Sequence, residues 1–287
     1  MSQTPRGLAI GALSGLALAA GATPALAQAA QGNVDRTFEV TITNTTTGQP
    51  FSPPYVATSK WTKFPLFKVG KYASSAIQEV AENGDTALTM RNYLAQAKRR
   101  GTIYDWAGGV PPGTKPLAPA GTPGERGEAV NSSGAAAGPC SALNFPCPST
   151  QTITVHATNS ASKLSLASML VCTNDGFVGL AGVKMPEQVG GTLTFQGRPY
   201  STGTEHDTQT FEDIMPWCQS IVGVFDQDPH PAAGNPFGPL SGTVMTHPLL
   251  AEGGRVTRHA GIAQAGELSA VHGWSGPVAT ISVKRVA

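Results

Sequence analysis

Residues 163–180 read KLSLASMLVCTNDGFVGL. Two apolar runs, at 164–170 and 177–180, flank Thr173-Asn174-Asp175-Gly176. Asn and Asp bond their own backbone and Gly takes up positive φ, so the stretch reads as two buried strands reversed by a tight turn. The turn carries one carboxylate, Asp175. A turn-forming Asp often does no more than cap its own loop.

Strand signals recur on both sides of this hairpin. In RTFEVTITN (36–44), Phe38, Val40 and Ile42 alternate with polar residues, the period of a half-buried strand. TITVHAT (152–158), FVGLAGV (177–183), GTLTFQ (191–196), SGTVMTH (241–247) and VATISVKRV (278–286) follow, separated by turn clusters. Many short strands of this kind indicate an all-β fold, an antiparallel sandwich or barrel. No repeat of 20–50 residues is visible, which sets solenoids and propellers aside.

Helical period occurs once, in YASSAIQEVAENGDTALTMRNYLAQAKRR (72–100). Ala76, Ile77, Val80 and Ala81 share one face, and Leu88, Tyr93, Leu94 and Ala97 another, so two short helices are expected, with Asp85 as N-cap of the second. The basic end, 98–100, suits a helix C-terminus. From 107 to 149 Gly, Pro, Ala and Ser dominate, and a long loop is expected.

The first residues, MSQTPRGLAIGALSGLALAAGATPALA, place one base before an apolar run and a small-x-small end. That is the layout of a secretory signal peptide, 1–27, with cleavage expected after Ala27 and a single domain over 28–287. The run is shorter than the roughly 20 residues of a membrane span and is broken by Gly and Pro. Secretion to the periplasm or the exterior follows. With Arg6 removed, the remaining 18 bases equal the 18 acids, so the surplus that a nucleic-acid binder carries is missing.

Cys140, Cys147, Cys172 and Cys218 are all in the exported part, and an even count there implies two disulfides. Four cysteines allow three connectivities; Cys140 and Cys147, in PCSALNFPC, read as a staple on the long loop. No CxxC pair occurs, so neither a zinc ribbon nor a thioredoxin-type site is expected. HExxH, GxSxG and a Walker-type loop are absent as well, and no enzyme activity is expected. The six histidines lack metal-ligand spacing. FDQDPH (225–230) lacks the Gly and distal Glu of an EF-hand and reads as a solvated turn. Asn44-Thr45-Thr46 and Asn131-Ser132-Ser133 match the short glycosylation pattern. The acidic turn in RPYSTGTEHDTQTFEDIMPW (198–217) offers hard oxygen donors of the kind calcium takes from flexible loops.

FEVTITNTTTGQPFSPP, GKYASSAIQEVAENGD, LSLASMLVCTNDGFVGL and PYSTGTEHDTQTFEDIMPW, in that order, resemble the spondin N-terminal domain family, its bacterial exported members most closely. The C-terminal VTRHAGIAQAGELSAVHGWSGPVATISVKRV is similar to their tail. The resemblance implies an antiparallel β-sandwich with a calcium ion held between loops at one end. Carried over, the ligands fall on Asp175, Ser201 and Glu205, with Ser201 where the family usually has Asp. A neutral hydroxyl compensates the ion less, so weaker binding is expected unless Asp207 or Glu212 leans in. The family fold also brings Cys172 and Cys218 to the same end, which favours Cys140–Cys147 with Cys172–Cys218. The implied role is calcium-assisted recognition or adhesion outside the cell, the partner being a protein, a glycan or a lipid headgroup. A metal-free matrix scaffold and an enzyme of another type are the alternative expectations.

Overall fold

The computed structural model describes residues 35–60, 62–85, 88–109, 114–120, 148–210, 213–214, 218, 252–264, 266–268 and 270–287. Its strands are β1 (Arg36–Asn44), β2 (Tyr55–Ser59), β3 (Ile103–Gly108), β4 (Thr150–Ala157), β5 (Lys163–Met169), β6 (Gly176–Lys184), β7 (Thr192–Ser201), β8 (Thr257–Arg258) and β9 (Ala279–Arg285). Two helices, α1 (Ser75–Asn83) and α2 (Thr89–Arg99), lie between β2 and β3 in sequence. The strands pair antiparallel in the order β3-β2-β5-β6-β7-β9-β1-β4, with β8 beside β7. The fold is therefore all-β and antiparallel with two short helices. The end strands β3 and β4 also meet: the His156 amide donates to Asp105 at 2.9 Å, and Thr58 Oγ1 of the neighbouring β2 donates to the His156 carbonyl at 2.6 Å.

β7 makes the two layers. Its residues 192–197 pair with β9, whereas 198–201 pair with β6, so one strand changes sheet partway along. Gly197 stands at the change. A Cβ there would meet the Ala279 methyl at 2.9 Å and Ile281 and Val178 at 3.0 Å, so only glycine lets the layers close. Phe38, Val40 and Ile42 of β1 fill the space between layers with Val155, Leu164, Leu166, Val178 and Ile281.

A second core lies on the outer face of the β2-β5-β6 layer. Ile77, Val80, Met90 and Leu94 of the helices pack there on Ala57, Ala167 and Phe177. β5 is thus covered on both sides, which is why KLSLASM runs apolar without clean alternation. The Ser74 side chain accepts from the Ile77 amide at N-cap of α1, and Gly84, at φ 61, ends it.

Some expectations change. Asp85 is not the N-cap of α2; Leu88 holds that place, and the Asp85 carboxylate reaches forward to accept from the Met90 and Arg91 amides at 2.8 and 3.4 Å. Met90, Leu94 and Ala97 form the buried face, leaving Leu88 and Tyr93 exposed. The expected loop of 107–149 begins inside β3, and Leu117 within it is buried, paired with Phe51. Asn44 is also buried: its amide donates to the Gln49 carbonyl at 2.8 Å and its oxygen accepts from Thr46, so it is a turn residue and not an accessible glycan acceptor. The leader, the rest of the long loop with Asn131, Cys140 and Cys147, and the SGTVMTH and FDQDPH segments lie outside the described residues. Among the described residues no helix is long and apolar enough to cross a membrane.

Candidate functional site

The hairpin of β5 and β6 closes through backbone first. The Leu170 amide donates to the Gly176 carbonyl at 2.9 Å, and Thr173 Oγ1 bridges the Leu170 carbonyl and the Gly176 amide at 2.6 and 2.9 Å. A Cβ on Gly176 would stand 2.3 Å from Thr173 Oγ1, so this turn admits no larger residue. Behind it, Cys172 is bonded to Cys218, packed among Met169, Val171, Ile214 and Leu268. The buried Gln49 amide holds the same corner, accepting from the Cys172 amide at 2.6 Å and donating to the His272 carbonyl at 3.2 Å.

Asp175 then projects onto the end of β7. It is 3% exposed, and one oxygen, Oδ2, accepts from Ser201 Oγ (3.2 Å), Thr202 Oγ1 (3.0 Å), the Thr204 amide (2.9 Å) and the Glu205 amide (3.3 Å). The carboxylate therefore organises the STGTE loop, 201–205. No hydrogen bond from the described residues reaches its other oxygen, Oδ1. Asn174 points the other way, donating to Thr208 Oγ1 at 3.1 Å and to the Asp213 carbonyl at 3.3 Å.

The loop so fixed presents Glu205, which is 8% exposed and whose Oε2 is buried without a hydrogen-bond partner. Burial, then the charges of Glu82, Asp175 and Asp213, push its carboxyl up to about 8. Glu82, in the last turn of α1, is raised too, first by burial; Thr204 Oγ1, which donates to it at 2.5 Å, works against the rise. Four acids thus share one corner, and Glu205 Oε2 is the oxygen among them buried without a donor.

The three residues named from the sequence stand together here: Ser201 bonds Asp175 through its hydroxyl, and Glu205 does so through its backbone. Ser201 is also occupied in the loop, since its Oγ accepts from the Gly203 amide at 2.9 Å. Asp207 Oδ2 accepts from Gln209 at 3.0 Å while its Oδ1 is buried without a partner, and Glu212 lies outside the described residues. His206, in the same turn, pairs with Glu252 on the exposed side. Glu82 was not singled out by sequence reasoning. One signal was available: an acid in a helix's last turn opposes the helix dipole, which invites a reason for its presence.

The donors suit a hard cation in kind, being all oxygen and including an orphaned carboxylate oxygen. They are not densely gathered. Among the described residues, the one set of three potential donors mutually within 4.8 Å is Cys172, Cys218 and His272, where both sulfurs are consumed in the disulfide. An ion between Asp175, Glu205 and Glu82 would accordingly need neutral oxygens and water to complete its shell, as calcium's loose geometry permits.

No family model matches the chain, and a search of curated proteins returns no match.

Proposed function

We propose that this chain is an exported, non-catalytic binding module of the spondin N-terminal type, whose loops at one end of the sandwich take up calcium. The observation that carries this reading is the Glu205 Oε2 oxygen, buried without a partner among Glu82, Asp175 and Asp213. A divalent cation offsets that excess of negative charge, and the free Asp175 Oδ1 and Glu205 Oε2 are its natural ligands. Glu82 serves as a third carboxylate, Ser201 as a neutral neighbour that holds Asp175 in place. Bound calcium would tie the TNDG turn to the STGTE loop and set the shape of that end for a partner outside the cell. The order of blocks quoted from the sequence supports the family, and the leader supports export.

Calorimetric titration with calcium in chelator-stripped buffer tests it. Saturable heat, lost in Glu205→Gln, is the expected result. A second reading draws on the four donors that converge on Asp175 Oδ2: the carboxylate then serves the loop alone, and the module is a metal-free scaffold. Absence of calcium heat, with melting unchanged by chelator, would select the scaffold.

A further inference from the structure

A second surface has the opposite sign. Residues 60–73, KWTKFPLFKVGKYA, contain four lysines and no acid. Pro65, Leu66 and Phe67 are buried and anchor the segment across β6. Phe67 packs on Phe177 and Tyr200, each with ring centroids 4.9 Å apart, and a Cβ on Gly179 would stand 2.6 Å from its ring. Glycine at 179 is what admits the anchor. With those three side chains turned in, Lys63, Phe64, Lys68, Val69, Lys71 and Tyr72 are left exposed, Val69 at 50% and Tyr72 at 69%.

Residues 254–256 fasten alongside. The Gly70 amide donates to the Val256 carbonyl at 2.8 Å, Val256 to Lys71 at 2.9 Å, and Ala73 to Gly254 at 2.9 Å. This brings Arg255, and Arg258 beyond it, to the same surface. Six cations therefore gather on two fastened segments of a chain whose formal net charge is +1. The nearest acid along either segment, Glu252, is paired with His206.

Each described ring on this surface carries a cation over one face. Arg255 lies over the Tyr72 ring at 4.2 Å, Arg258 over Tyr200 at 4.5 Å and Lys68 over Phe64 at 5.1 Å. A sugar or a base that stacks here would compete with those cations for the ring faces. What is presented outward is charge, ring edges and the Val69 tip, beside Gly70 at φ 78. That combination fits a layer of lipid phosphates, with the cations at the phosphates and the apolar tips in the headgroup zone.

We propose that the surface formed by Lys60, 62–73 and 254–258 seats the protein on an anionic phospholipid bilayer. The proposal stands apart from the calcium reading, and chelator in every sample keeps the two separate. The experiment is co-sedimentation with phosphatidylcholine vesicles, with and without phosphatidylglycerol, at low and high salt. Binding is expected only with phosphatidylglycerol and is weakened by salt. Each surface cation contributes about fivefold, so the triple variant Lys63→Gln, Lys68→Gln, Lys71→Gln loses about a hundredfold. None of those side chains makes a bond that holds the fold, so its melting point stays that of the parent. Val69→Ser loses about fivefold with the salt dependence unchanged, and Lys284→Gln, on β9, binds as the parent does. Equal sedimentation with both kinds of vesicle, or a triple variant that binds like the parent, overturns the proposal. So does capture of soluble dextran sulfate without any sedimentation on vesicles.

Discussion

Glu205 offers the sharpest test of the acidic corner. Its carboxyl, ordinarily at 4.5, is held protonated up to about 8, chiefly by burial and then by Glu82, Asp175 and Asp213. Between those two values the folded protein binds a proton that the unfolded chain releases. The resulting stability is complete below about 4.5, falls as pH rises, and is gone just above 8. In that window the slope is one proton's worth per pH unit, and from pH 6 to pH 9 the loss comes to about 3 kcal/mol. That is a large share of a domain's net stability. At 8% exposure the group is not screened as a surface carboxylate is.

The assay is urea unfolding in chelator at a series of pH values, on the parent and on Glu205→Gln. The neutral amide cannot titrate, so the parent's fall between pH 6 and pH 9 is absent from the variant, which is the more stable of the two at pH 9. His259, held below its ordinary 6.5 by burial, contributes the opposite slope. It gains stability as pH rises to about 6.5, and it cancels because both proteins carry it. Saturating calcium should flatten the parent's curve, since the ion takes the place of the proton. A difference between the two proteins that stays constant from pH 6 to pH 9 would refute the reasoning.

Three further outcomes follow from the same corner. Asp175→Ala strands the Thr204 and Glu205 amides and two hydroxyls, costing about 3 kcal/mol in chelator, whereas Asp175→Asn keeps an acceptor for them and costs about 1 kcal/mol; equal midpoints for the two in denaturant unfolding would contradict the hydrogen-bond account. Ser201→Asp adds a carboxylate beside Asp175, so melting in chelator should drop while the increment from calcium grows; no change in either condition would remove residue 201 from the site. Breaking Cys172–Cys218, which closes a separation of 46 residues, should cost about 4 kcal/mol on the chain-entropy account. Unfolding of Cys172→Ala/Cys218→Ala against the parent measures it, and a cost near zero would count against that account.

How much of this could be read from the sequence depends on which faces each strand buries. β1, β4 and β9 have one covered face, so FEVTIT, TITVHA and ATISVKR alternate and announce themselves. β2 is buried at all five positions, beneath the helices on one side and the opposite sheet on the other. YVATS carries no period for that reason and went unread. β3, with one buried residue at each end and partly exposed ones between, gives no alternation either. The TNDG turn was legible because its chemistry is local: Asn, Asp and Gly impose their geometry within four residues.

The acidic corner shows where local reading stops. Asp175 and the STGTE loop are linked through adjacent strands, so resemblance along the chain sufficed to name Asp175, Ser201 and Glu205. Glu82 joins them from 122 residues before Thr204, on a helix whose place over β5 and β6 is set by Ile77 and Val80 and not by any feature of the acid. Its burial beside Asp175 and Glu205 is a cost created by packing, since each carboxylate taken from water raises the charging energy of the others. Apolar contacts that hold α1 in place thus hold three acids together against their mutual repulsion. A fold does not keep such an arrangement for stability, because Gln at 82 or 205 would relieve it. The strain is intelligible if something positively charged enters the corner, whether a proton on Glu205 at lower pH or a cation in its place, and it makes that end of the sandwich responsive to what enters.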